Sequence, residues 1–144
     1  MQLSLHSDYA CRVLMYLASH SGKKASIQTI ADAFGISGHH LVKVVHELGK
    51  HQFLTTSRGR GGGVELGRSP DMISIGDVVR KMEPHLTIVE CFDAAANQCP
   101  LIRICLLQPA LERARDAFLK ILDEVTLADV TVNGGALERA LARG

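Results

Sequence analysis

The chain has 144 residues, 47% of them apolar and 22% charged, which suits one globular domain and excludes a large two-domain enzyme, a disordered chain and a fibre. The longest apolar run, 101–107, is interrupted by Arg103 and is far shorter than the roughly 18 residues of a membrane span; residues 1–6 lack a signal-peptide layout, so a cytoplasmic protein is expected. The formal net charge of +1 conceals opposite halves: Met1 to Arg68 holds eight Lys or Arg against four acids, and 69–144 holds eight against eleven. A basic N-terminal part facing a polyanion is the reading of that split.

From the N-terminus, Ala10, Val13, Leu14 and Leu17 recur at helical spacing over 7–20, with Ser7 or Asp8 as the expected cap. After the loop Ser21-Gly22-Lys23-Lys24, Ser26 opens a short helix whose apolar stripe is Ile27, Ile30, Ala31 and Phe34, closed by Gly35. Ser37 is placed to cap a third helix, with Leu41, Val44, Val45 and Leu48 inward and Gly49 at its end. Two short helices around a glycine turn predict helix-turn-helix. Two strand-like runs, 53–57 and 64–66, flank the tip Arg58-Gly59-Arg60-Gly61-Gly62-Gly63 and predict a wing. Ser74 starts another helix that stops at Pro84, and 85–105 reads as mostly irregular. Leu107, Leu111, Ala114, Phe118, Ile121 and Val125 then form a coiled-coil-like seam on one long helix. Beyond Asp129 no element is predicted and a mobile tail is expected. The fold class is mainly α with a small β-wing: a winged helix-turn-helix over 1–84, a loop over 85–106, a long helix over 107–128 and a tail over 129–144.

A recognition helix presents short polar or basic side chains at its N-terminal end, where they reach base edges, while Lys and Arg meet phosphates. Ser37, His39, His40 and Lys43 fit that description, against the alternative of an ordinary solvated helix face. At the wing, glycines allow close backbone approach and Arg58 and Arg60 suit a narrow minor groove. The glycines lie between strands and no Gly-x-x-x-x-Gly-Lys-Ser/Thr run occurs, which speaks against a nucleotide loop. With 4% aromatic residues and no Trp, single-strand stacking is poorly supported, and duplex DNA is the expected partner.

Cys91, Cys99 and Cys105 are separated by seven and five residues, too widely for the tight pairs of structural zinc. Their spacing leaves open a metal or iron-sulfur site, a thiol redox switch, or inert cysteines. Cys11, beside the apolar stripe of the first helix, reads as core packing, and His6 and His85 as surface histidines.

The run from Ile36 to Leu48, the wing Arg58-Gly59-Arg60-Gly61-Gly62-Gly63 and the three-cysteine loop together resemble the winged-helix regulator family that includes NsrR and IscR. The resemblance covers 1 to about 128. It implies a homodimeric bacterial transcription factor with an iron-sulfur cluster, 4Fe-4S ahead of 2Fe-2S, in the loop before a dimerisation helix. Lys43-Val44-Val45-His46-Glu47-Leu48 and the cysteine spacing are similar to the nitric-oxide-sensitive branch. Leu106, Leu107 and Gln108 stand where the IscR branch has a histidine ligand. On this resemblance Cys91, Cys99 and Cys105 are ligands and Asp8 of the partner subunit is the fourth, with Arg12 supporting it by an i,i+4 pair; a plain helix cap is the other reading of Asp8. The implied function is a repressor that nitric oxide releases from operator DNA. A redox or cluster-status sensor of the IscR kind, and a zinc- or disulfide-stapled DNA-binding protein without sensing chemistry, are the alternatives. No paired acids or nucleophile-base motif suggests an enzyme.

Overall fold

The structure is a computed structural model and describes residues 2–20 and 22–142. The loop position expected for Ser21 and the last two residues of the 129–144 stretch lie outside the described residues. Helix α1 spans Leu5–Ser19, α2 Ile27–Phe34 and α3 Gly38–Lys50; strands β1, Leu54–Ser57, and β2, Gly63–Leu66, follow. Helices α4, Ile75–Met82, α5, Leu107–Asp123, α6, Leu127–Val130, and α7, Gly134–Leu141, complete the chain.

Helix α1 starts earlier than Ser7 or Asp8 would allow as caps. Ser4 is the N-cap, its hydroxyl accepting from the Ser7 N–H at 3.2 Å. Ser7 is buried instead, and donates its own hydroxyl hydrogen to Glu83 Oε2 at 2.5 Å. Glu83 also accepts from the Ser4 amide at 3.1 Å, so the residue that closes α4 anchors the start of α1.

Ser26 caps α2, and Gly35 ends it in the left-handed region at φ 62°, where a side chain is disfavoured. One turn later α3 begins at Ser37, whose hydroxyl makes no cap hydrogen bond. Gly49 does not end α3: the helix runs on to Lys50, and the His51 N–H still donates to the Glu47 carbonyl at 3.2 Å. The chain turns at Gln52, with φ 59°, and enters β1.

Leu14, Leu17, Ile30, Leu41, Val44, Leu48 and Phe53 meet in one core with Val64 of β2 and Val78 and Met82 of α4. Each such side chain contributes about 1.5–3 kcal/mol by leaving water, so the core fixes the angle between α2 and α3. The hairpin pairs Leu54 with Leu66 and Ser57 with Gly63 in antiparallel register. An isolated bridge between Ala25 and Val64 adds a third strand-like edge to the wing.

Helix α5 leaves this core. Gly76 lets α4 lie hard against the end of α5: a Cβ there would lie 2.7 Å from the Asp123 backbone nitrogen. Arg80 clamps the same junction through both guanidinium nitrogens on Asp123, one at 2.8 Å. The helix expected over 107–128 ends at Asp123, leaving Val125 beyond it; along the seam Leu107 (63%), Ala114 and Ile121 (64%) are exposed and Leu111 and Phe118 half-buried, while Leu119, off the seam, is the buried residue of the helix. The segment after Asp129 is not an open tail. Thr126 and Asp129 form a reciprocal capping box on α6, Leu127 is fully buried in the N-terminal core, and α7 packs back on α1. The short apolar spacing of Leu137 and Leu141 carries too little periodicity to reveal that helix in advance.

Candidate functional site

The two glycine-rich and histidine-rich stretches become one kind of surface. Ser37, His39, His40 and Lys43 are all exposed on the first two turns of α3, while Leu41, Val44 and Val45 on its other side are buried. Because Ser37 does not spend its hydroxyl on the cap, that group faces solvent with a donor and acceptor available. Lys43 and His40 also line a shallow groove with Leu5, His6 and Tyr9 of α1.

At the wing, Gly59 and Gly61 take φ of 91° and 80°, conformations that L side chains rarely adopt. This lets Arg58 and Arg60 stand on a tight tip closed by the Gly62 amide on the Gly59 carbonyl at 2.9 Å. Both arginines are exposed and neither makes an ion pair among the described residues. Lys24 joins them in a way that sequence reasoning missed. Its Nζ donates to Ser57 Oγ at 3.1 Å and lies 3.3 Å from Glu65, so a loop lysine is seated on the wing. Only the Ala25–Val64 pairing, invisible to local patterns, brings it there. Arg68 has a structural duty instead, donating to the His51 carbonyl at 2.7 Å and lying 5.0 Å over the Phe53 ring.

Asp8 lies within the first turn of α1, past the cap, and its carboxylate meets Arg12 at 2.8 Å. Arg12 in turn lies 5.8 Å over the Tyr9 ring and 6.0 Å over Phe34. Cys11 is held in the same helix against the core, and burial, with the Asp8 charge as a lesser cause, pushes its thiol up to about 11.

Cys91, Cys99 and Cys105 are free thiols, partly exposed, on a segment of turns whose one regular element is the 3-10 turn Glu90–Phe92. The Cys99 amide donates to Asn97 Oδ1 at 2.9 Å. Among the described residues no three Cys, His, Asp or Glu side chains converge as metal ligands, so the single chain does not assemble the three thiols and Asp8 into one site. The donor chemistry nevertheless suits iron, since three unpaired thiols are soft ligands.

Residues 3–133 match the family description "Rrf2", iron-dependent transcriptional regulator. The chain belongs to the Rrf2 family. Among Rrf2-type relatives it is similar to the HTH-type transcriptional regulator NsrR of Geobacillus kaustophilus, 47% identical over 98% of this chain and 97% of that one. NsrR of Bacillus licheniformis is 42% identical over 99% and 100% of the two chains. Among solved structures, CymR, the global cysteine regulator of B. subtilis, superposes with a TM-score of 0.73 at 29% identity, covering 92% of this chain and 98% of that one. IscR of T. potens does so with 0.74 at 25% identity, covering 92% and 88%. The chain is accordingly a winged-helix transcriptional regulator that binds DNA, and not an enzyme. No helix among the described residues is long and apolar enough to cross a membrane.

Proposed function

We propose that this regulator is a cytoplasmic, homodimeric repressor that holds an iron-sulfur cluster, 4Fe-4S ahead of 2Fe-2S, and leaves duplex operator DNA when nitric oxide reaches that cluster. The observation that carries the reading is the three-thiol loop, set between a DNA-binding core and a helix with a bare apolar seam, in a chain of an iron-dependent family. The NsrR relatives, similar over nearly their whole length, support this branch.

In this reading Cys91, Cys99 and Cys105 of one subunit and Asp8 of the other hold the cluster. When bound, the cluster supplies iron that nitric oxide can attack, and a hard carboxylate is the ligand least matched to that iron. The chain does the rest. Ser4, Ser7 and Glu83 hold the start of α1, so that Asp8 is carried on a fixed turn. Arg12 orients the Asp8 carboxylate through Nε and Nη2, the latter at 2.8 Å. The α5 seam, with Leu106 89% and Ile104 76% exposed just before it, buries against the partner's copy. A tie from loop to partner helix then sets two α3 helices near the roughly 34 Å spacing of successive major grooves, where Ser37, His39, His40 and Lys43 read bases and Arg58 and Arg60 meet the minor groove or phosphates. DNA affinity follows the cluster only because the two conformations hold it differently.

The test is anaerobic purification followed by iron and sulfide counting and visible spectroscopy. Stoichiometric iron and acid-labile sulfide with charge-transfer absorption is the expected result. Protein that carries zinc or no metal, with the same dimer and DNA affinity, contradicts it.

A further inference from the structure

Helix α5 and the cysteine loop meet at one place that the ligand set does not explain. Arg115 projects from the third turn of α5 to the turn Glu90–Phe92 and places its guanidinium 4.9 Å from the centre of the Phe92 ring. Phe92 directly follows Cys91. Arg115 lines two adjoining clefts together with His85, Leu86 and Thr87, one of them reaching Phe118 and the other Phe92 and Asp93. Asp116 holds the guanidinium from the side at 2.8 Å. Cys99 is held by local bonds instead, its amide donating to Asn97 Oδ1 at 2.9 Å and its carbonyl accepting from the Ile102 N–H at 3.4 Å.

We propose that Arg115 is a positioning residue for Cys91: by stacking on Phe92 it fixes the first cysteine of the loop to the dimer helix, whether or not iron is present. A cation over an aromatic face is attracted by the ring's quadrupole, and the contact is lost with either the charge or the ring. The loop is then fixed to α5 at both ends, at Cys105 through the chain itself, next to the N-cap Leu106, and at Cys91 through the Arg115–Phe92 contact. Because α5 also carries the bare seam, the same contact links the position of Cys91 to the pairing of subunits. The functional weight of this inference rests on the iron-sulfur reading; the anchoring itself does not.

The experiment is arranged to separate those two. Metal-free full-length protein is treated with iodoacetamide at fixed pH, and alkylation of each cysteine is followed by peptide mass spectrometry. Arg115→Gln and Phe92→Leu are each expected to speed alkylation of Cys91 by about two- to fivefold, the range of a partly exposed cation–π contact, with Cys99 and Cys105 unchanged. Phe92→Tyr keeps the ring face and restores the slow rate, and the double variant Arg115→Gln/Phe92→Leu is no faster than either single one. Equal acceleration at all three loop cysteines, or none at Cys91, overturns the anchoring. In iron-loaded protein the visible absorption of Arg115→Gln decays faster under a chelator than that of the wild type. An unchanged decay beside a Cys91-selective alkylation effect overturns the link to the cluster, and absence of iron in the wild type overturns the iron-sulfur reading alone.

Discussion

Asp8 stands one turn inside α1 because Ser4 has taken the capping position, and this decides what its removal does. An N-cap lost to alanine costs about 1 kcal/mol, whereas an exposed i,i+4 pair contributes a few tenths. Asp8→Ala is therefore expected to leave the melting temperature of metal-free protein nearly unchanged while altering the visible spectrum or the chelator-driven decay of iron-loaded protein. A spectrum and decay identical to the wild type would return Asp8 to a role in helix pairing with Arg12. Whereas the loop thiols are on a segment of turns, Cys11 is packed against the core. Its raised pKa means that the folded chain keeps the proton longer than the unfolded one, so its contribution is fully present below about pH 9 and is lost as pH rises toward about 11. Stability measured across that window should decline less in Cys11→Ala than in the wild type. Iodoacetamide at neutral pH should modify Cys91, Cys99 and Cys105 while sparing Cys11 in the folded protein.

At the scale of elements, the local signals were legible where a cap or a period acts within one turn. Ser26, Ser74, the stripe of α3 and the glycine tip each work through neighbours three or four residues away, and the helices and wing follow from them. What was hidden depends on distance along the chain. Glu83 reaches Ser4 across 79 positions, Lys24 reaches Ser57 across 33, and α7 is held by α1. Gly49 misled because a glycine ends a helix only where the backbone turns left-handed, and here that turn falls at Gln52. Two element-scale outcomes follow. Arg58→Ala is expected to weaken operator binding and, if its guanidinium meets one phosphate, to lower the salt slope of log K by about 0.9, with iron content unchanged; an unaltered affinity and slope removes the wing from the interface. Thr126→Ala breaks the capping box on α6 and should destabilise by about 1 kcal/mol in denaturant titrations. The Asp129 carboxyl is held below the ordinary range by hydrogen bonds from Thr126. Its share of stability is thus present above the ordinary carboxylate range and disappears as pH falls through its lowered folded value, a decline that Thr126→Ala should blunt.

Across the whole molecule, the opposite charges of the two halves correspond to two surfaces rather than two separable domains. The basic half supplies α3 and the wing, and the acidic half supplies the cysteine loop and α5. Yet Leu127, from the acidic half, is buried in the N-terminal core, and Glu83 seats the helix that carries Asp8. Helix α1 packs on α3, α4 and α7 alike, so elements from both halves share one core. The candidate ligands were readable as residue types, while their assembly was not, because among the described residues the single chain leaves the thiols unconverged and Leu107, Ala114 and Ile121 of the α5 seam exposed. The most direct measurement is anaerobic operator binding by iron-loaded protein before and after stoichiometric nitric oxide, with the visible spectrum recorded on the same sample. The account predicts that cluster absorption and DNA binding are lost together. Bleaching of the cluster with operator affinity unchanged would contradict it.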